Sequence, residues 1–200
     1  MKKVVLPLMF ATLILMASLP AAAAPDTGGP MGTFTLTPKL GYAYLGNQAV
    51  WANGDVNGQP GINALQVMLN LTFGRESTFE LGPLYMYETV AGRDSALNAP
   101  GVYLGWTHTW RMDSEKAGVW YPGIGFGWGT AFPFGGYVSW GITSYLRIPV
   151  SVSWYPSKTT PVAVTLEASV GGVTTNLFFE NGSSYALGVY SDVLVGVRFF

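Results

Sequence analysis

From residue 33 to residue 45 the chain reads TFTLTPKLGYAYL. Phe34, Leu36, Pro38, Leu40, Tyr42 and Tyr44 take every second place, with Thr33, Thr35, Thr37, Lys39, Gly41 and Ala43 between them. Successive side chains of a strand point to opposite faces, so this stretch predicts a strand with one apolar face and one small or polar face. The alternation returns over 63–73, 78–88, 102–112, 119–130, 137–154, 162–171 and 185–199. Over 63–73, Leu65, Val67, Leu69, Leu71 and Phe73 oppose Gln66, Asn70 and Thr72. Eight such segments, an even number, predict an all-β fold: an eight-stranded antiparallel up-and-down barrel. Each strand is long enough to cross a hydrocarbon layer at a tilt.

The charged residues of these segments are Lys39, Glu80, Glu88, Arg111, Arg147, Glu167, Asp192 and Arg198. All fall on the parity opposite the large apolar residues. A charge facing lipid at mid-depth costs ~2–4 kcal/mol, and that penalty sorts charges inward in a transmembrane barrel. The apolar parity ends in aromatics. Phe34, Phe73, Phe79, Trp110, Trp120, Trp154 and Phe199 gather at one end, and Tyr42, Tyr44, Tyr85, Tyr87, Trp128, Trp140 and Tyr185 at the other. Two such girdles mark the membrane interfaces. A soluble barrel would carry Lys and Glu on that face. Short connections at 74–77, 113–118 and 155–160 alternate with generally longer ones at 46–60, 89–100, 131–136 and 172–184. Short turns face the periplasm in such barrels, which places both ends of the barrel there.

Composition narrows the picture further. Charged residues are 10% of the chain, against about 25% in an ordinary soluble domain. The longest uncharged stretch, 117–146, holds eight glycines and two prolines, a poor composition for a spanning helix. There is no cysteine, which excludes disulfides, thiolate metal sites and a cysteine nucleophile. The single histidine excludes a multi-histidine zinc site. A net charge of −1 gives no basic field for nucleic acid. Asp55-Val56-Asn57-Gly58 has the spacing of a calcium-loop fragment but lacks a distal glutamate. No cofactor and no metal is expected.

Residues 1–23 read as a secretory signal peptide. Lys2 and Lys3 precede an apolar run, and Ala21, Ala22 and Ala23 fit the small-residue cleavage rule. Residues 24–32 are then a periplasmic lead, and 33–200 the transmembrane barrel.

The alternating strands, the four longer connections and the C-terminal segment Val193-Leu194-Val195-Gly196-Val197-Arg198-Phe199-Phe200 resemble small bacterial outer-membrane barrels of the OmpA/OmpX and opacity-protein type. That resemblance implies insertion in the outer membrane of a Gram-negative cell envelope, contact with outer-membrane lipid, and recognition of Phe199 and Phe200 by the barrel-assembly machinery. The terminal aromatic of such barrels holds the lipid-facing parity. Here Phe199 does and the terminal Phe200 is one residue further, so a bulge in the last strand is expected to reconcile them. Bulges are also expected at Pro38, Pro83, Pro122 and Pro149, because proline cannot donate to a ladder and a closed barrel has no edge.

An eight-stranded barrel is only wide enough for its side chains to fill, and buried charges must be paired. The inward charges therefore predict a salt-bridge network. Glu80, Arg111 and Arg198 are placed low, Lys39, Glu167 and Asp192 near the middle, and Glu88 and Arg147 high. Arg111 or Arg198 is expected to reach Glu80, and Lys39 to reach Glu167 or Asp192. Gly123, Gly125, Gly127 and Gly129 leave one inner wall bare. Either Tyr103, Tyr121, Tyr145 and Tyr190 fill that volume, or it opens as a cavity for a small apolar ligand.

Lipid A deacylases and palmitoyltransferases occupy similar barrels, the former with a His-x-Ser pair. Here the sequence reads His108-Thr109-Trp110, without that serine, on the lipid-facing parity. The leading expectation is a non-enzymatic barrel. Its loops would contact an extracellular ligand through Trp51, Leu177, Phe178 and Phe179, or it would contribute to envelope structure. A narrow, porin-like channel or carrier for small apolar molecules is the alternative, and a lipid A-modifying enzyme follows it.

Overall fold

The computed structural model describes residues 34–199 apart from 53–54, 60, 75, 91–95, 115–117, 137, 158–159 and 181. The expected signal peptide, the periplasmic lead and Phe200 lie outside the described residues. Ten strands follow in order: β1 (Phe34–Ala52), β2 (Asp55–Gln59), β3 (Ile62–Gly74), β4 (Ser77–Val90), β5 (Ala96–Thr109), β6 (Met112–Ser114), β7 (Gly118–Ala131), β8 (Trp140–Tyr155), β9 (Val162–Phe179) and β10 (Gly182–Phe199).

The eight long strands pair antiparallel with their neighbours in the order β10-β9-β8-β7-β5-β4-β3-β1, and β1 pairs with β10. The sheet is therefore closed, an all-β eight-stranded antiparallel barrel. The short β2 folds back on the far end of β1, and β6 adds to the start of β7.

Period-two alternation is what selects this wall. The outward parity leaves Leu40, Leu65, Leu104, Ile148, Leu166, Val170 and Val195 exposed, each about half accessible. The inward parity buries Lys39, Glu80, Glu88, Arg147, Glu167, Asp192 and Arg198. Arg111 departs from expectation. Strand β5 ends at Thr109, so Trp110 and Arg111 lie beyond it, and Arg111 is exposed. Alternation carries facing information only while the ladder continues, and here it stops two residues earlier. Aromatics collect at both ends, with Phe34 edge-on to Phe73 at 5.3 Å at one and Trp140 stacked on Phe178 at 4.0 Å at the other.

Two further expectations are corrected. The four prolines cause no bulge. Pro38 pairs with Leu69, Pro83 with Val102, Pro122 with Val152 and Pro149 with Ser169, all in register. The missing N–H is absorbed on the opposite side. Pairing lapses there for two residues and resumes unshifted, as between Met68↔Leu84 and Leu71↔Leu81 beside Pro83. The single register shift of the β1–β10 seam lies at Gly46/Ala49, far from the chain end. Strand β10 runs in register to Phe199, which pairs with Leu36 and keeps the outward parity, while Phe200, for which the bulge is expected, lies outside the described residues.

The longer connections are also shorter than the pattern indicated. Strands β9 and β10 pair continuously from Val162↔Phe199 to Phe179↔Gly182, so the connection expected over 172–184 is almost entirely ladder. At the opposite end, Gly74 turns the chain from β3 to β4 with φ +112°, where a Cβ would sit 2.3 Å from the Ser77 carbonyl oxygen. Only glycine enters that conformation without strain.

Candidate functional site

The lumen holds a connected polar core built from seven strands. Lys39 of β1 places Nζ 2.7 Å from Glu167 Oε2 of β9 and 3.4 Å from Glu80 Oε2 of β4. Arg147 of β8 donates through Nη2 to Glu167 Oε1 at 2.5 Å and to Asp192 Oδ1 of β10 at 3.0 Å. Its Nε donates to Ser169 Oγ at 3.0 Å, and Ser169 donates to Asp192 Oδ1 at 2.6 Å. Glu80 accepts from Asn70 Nδ2 at 2.7 Å and from Thr107 Oγ1 at 3.0 Å. Glu167 thus bridges two cations, and two cations join three carboxylates in one chain of contacts.

Lys39 meets the partner expected of it. Glu80 does not, because its direct ion partner is Lys39 rather than Arg111 or Arg198. Arg198 acts on Glu80 through space, while its Nε and Nη1 have no hydrogen-bond partner among the described residues. Arg147 belongs to the middle layer rather than the high one. Its long side chain reaches down to Glu167 and Asp192, and its guanidinium carbon lies 5.4 Å from the centre of the Tyr103 ring.

Tyrosines roof this core. Tyr145 and Tyr190 stack at 4.3 Å with an interplanar angle of 5°. The Tyr190 hydroxyl stands 2.7 Å from Asp192 Oδ2 and 2.7 Å from Gln66 Oε1. Two of the four inner glycines accept these rings. A Cβ at Gly127 would lie 2.3 Å from the Tyr103 hydroxyl oxygen, and one at Gly129 2.2 Å from Tyr145 Cζ. Gly123 and Gly125 face Thr109 and Thr107 instead. The bare wall is thus occupied by neighbouring side chains.

Beyond the tyrosines, toward the longer connections, the lumen turns apolar. Ala43, Leu45, Ile62, Ala64, Met86 and Ala99 are all buried there. Glu88 enters this layer, 1% exposed, and its Oε1 has no hydrogen-bond partner among the described residues.

The exposed contact residues fall differently from expectation. The backbone of Trp51 is part of β1, paired with Tyr185 and Val56. Leu177, Phe178 and Phe179 belong to β9 and are half-buried, with the Phe178 ring stacked 4.0 Å from Trp140. A strand extended past the apolar belt replaces the loop.

One pair escaped sequence reasoning. Ser77 Oγ and His108 Nδ1 share a hydrogen bond of 2.9 Å across directly paired positions of β4 and β5. His108 also stands edge-on to Trp110 at 5.0 Å. A hydroxyl is therefore within reach of the histidine, though from the adjacent strand and not at the His-x-Ser spacing. The signal was the short turn at 74–77, which sets the register of the hairpin. Among the described residues no acidic side chain bonds the other ring nitrogen, and no cluster of three His, Cys, Asp or Glu forms a metal site.

No family model and no curated protein matches the chain. Among solved structures, it is similar to Neisserial surface protein A (NspA), with 13% sequence identity and a TM-score of 0.45 over 84% of this chain and 97% of that one.

Proposed function

We propose that this chain is an integral barrel of a bacterial outer membrane that catalyses no reaction. It is of the small OmpA/OmpX and opacity-protein kind, and it holds extended hairpins at the cell surface for contact or contributes to envelope structure. The observation that carries this reading is the separation of charge. The wall is apolar outside, and the lumen is crossed by the Lys39–Glu167–Arg147–Asp192 network. A lumen bridged by bonded charges is a plug, and a closed apolar wall is what lipid requires. Outer-membrane lipid is then the first partner, and the assembly machinery would read the end of β10 at Phe199 and Phe200.

The hairpins supply the surface. Strands β9 and β10 are 18 residues each, whereas a tilted strand crosses the hydrocarbon in about 9–11. The excess carries Phe178, Phe179 and Tyr185 beyond the membrane, next to the Trp51 position of β1. An extracellular ligand would meet this edge.

Planar-bilayer recording of the refolded protein tests the reading. Plugged barrels give no steady conductance steps. Regular, concentration-dependent steps would replace the anchor with a channel. A carrier of small apolar molecules has one observation in its favour, the apolar upper lumen of Ala43, Leu45, Ala64, Met86 and Ala99.

A further inference from the structure

Seven charged side chains are buried in the lumen among the described residues. Lys39, Arg147 and Arg198 offset Glu80, Glu167 and Asp192, and Glu88 is left over. Its partners across the ladder are Ala64 of β3 and Leu97 of β5, and Ala43 of β1 follows along the same row. All three are buried and apolar. Strand β3 contains no titratable residue. On β5, Tyr103 lies under the Arg147 guanidinium and His108 is at the far end. On β1, Lys39 is bonded to Glu167 and Glu80, while Tyr42 and Tyr44 face outward. On β4 itself, Glu80 belongs to that same network, and Tyr85 bonds Asn98 on the outer face. Across the lumen, Tyr145 and Tyr190 stack on each other, and Arg147 is bonded to Glu167 and Asp192. Glu88 therefore stands in a packed apolar layer without a cation of its own, and its Oε1 has no hydrogen-bond partner among the described residues.

An ionised carboxylate is too costly to persist in such a layer, and a proton neutralises it without needing any room. The stretch from Phe79 to Tyr87 already accounts for a tilted crossing of about 9–11 residues. Glu88 comes next, past the spanning part of β4. Burial pushes its carboxyl from an ordinary 4.5 up to about 7. We propose that Glu88 is a proton-operated latch on the outer mouth of the barrel. As the neutral acid it lets the upper lumen pack shut, and when it loses its proton the layer opens to water. The closed layer holds this proton more tightly than an open, wetted one. Closure is therefore strongest below about pH 4.5, weakens as pH rises from there, and is weakest once pH has passed about 7. The ion network beneath keeps its pairs, so the opening is confined to the layer above Tyr145 and Tyr190. The latch belongs to the barrel interior and does not depend on what the hairpins contact.

The chain has no cysteine, so a single introduced thiol reports on this layer alone. Ala99→Cys places it at a fully buried upper position of β5, and Ser183→Cys gives an exposed control on β10. The refolded protein in neutral-detergent micelles is treated with methyl methanethiosulfonate between pH 5 and 8, and intact mass gives the labelling rates. Dividing the Ala99→Cys rate by the Ser183→Cys rate removes the thiol's own pH dependence. The ratio rises by about tenfold per pH unit between pH 5 and 7 and then levels off, as one proton released on opening requires. In the Glu88→Gln background the ratio is flat. Heat-modifiable gel migration verifies that each barrel is folded, and Ala43→Cys replaces Ala99→Cys if that variant does not fold. An equal rise with and without Glu88 would overturn the latch. So would a flat ratio with Glu88 present, which would mean that a cation such as Arg93 holds the carboxylate ionised and the layer closed at every pH.

Discussion

Lys39 Nζ stands 2.7 Å from Glu167 Oε2, although the two residues are 128 positions apart in the chain. No local pattern brings them together. Closure of the sheet does, by placing β1 beside β10 and β10 beside β9. Glu167→Ala removes the carboxylate that holds both Lys39 and Arg147, and the expected destabilisation is ~3–5 kcal/mol. Urea unfolding in lipid vesicles, followed by tryptophan fluorescence, measures it. Adding Lys39→Met recovers part of the loss, because one uncompensated charge goes with it. Unchanged stability in Glu167→Ala would mean that water reaches the network.

The inner glycines make a second prediction. Gly127→Ala brings a methyl group against the Tyr103 hydroxyl, and overpacking of this kind costs ~1–3 kcal/mol. Tyr103→Phe in the same chain removes the nearest clashing atom but leaves ring carbons Cε2 and Cζ 2.7 and 2.8 Å from the added Cβ, so it restores only part of the loss. The same unfolding transition reads both variants. Additive losses would show that the ring does not fill this wall.

Outward positions respond to charge rather than to volume. Val195 is 53% exposed on β10, and Val195→Arg is expected to cost ~2–4 kcal/mol in a bilayer. Yield of folded protein in vesicles and its urea midpoint give the figure. Full tolerance would place Val195 in water.

The Ser77–His108 pair is expected to be a cross-strand contact and no more. Ser77→Ala and His108→Ala each lower stability by no more than about 1.5 kcal/mol, the range of a single hydrogen bond. Mass spectrometry of lipid A and phospholipid from cells with wild type, either variant or a deletion shows one profile. A lipid change that requires the protein and disappears in both variants would make these two residues a catalytic pair.

The barrel was legible because each strand repeats one decision. Leu40, Lys39 and Gly41 face as their parity requires, and the same holds along β8 for Ile148, Arg147 and Pro149. What parity does not encode is where a strand stops and which residue lies opposite. The alternation runs on past Thr109 and points Arg111 inward, but pairing has ended there. The Arg147 contacts depend on the reach of a long side chain across the lumen, which no two-residue period describes. Ser77 lies one residue before the strand expected over 78–88, so its register with His108 stayed hidden until the turn was placed. Phe178 and Phe179 fall in the connection expected over 172–184, yet they continue the β9 ladder, which runs through the glycines at 171 and 172. In the ladder those glycines pair with Tyr190 and Val189 without interruption.

That uninterrupted ladder sets the terms on which the tip of the β9–β10 hairpin meets anything. Hydrogen bonding from Val162↔Phe199 to Phe179↔Gly182 anchors Glu180 to the barrel as the end of a stiff beam. A loose loop loses conformational entropy when it is captured, whereas the paired residues up to Phe179 and Gly182 have already lost it during folding. Under the surface role proposed above, recognition would match a fixed relief along these paired strands, and lengthening the turn by a few flexible residues would weaken binding without removing a single contact.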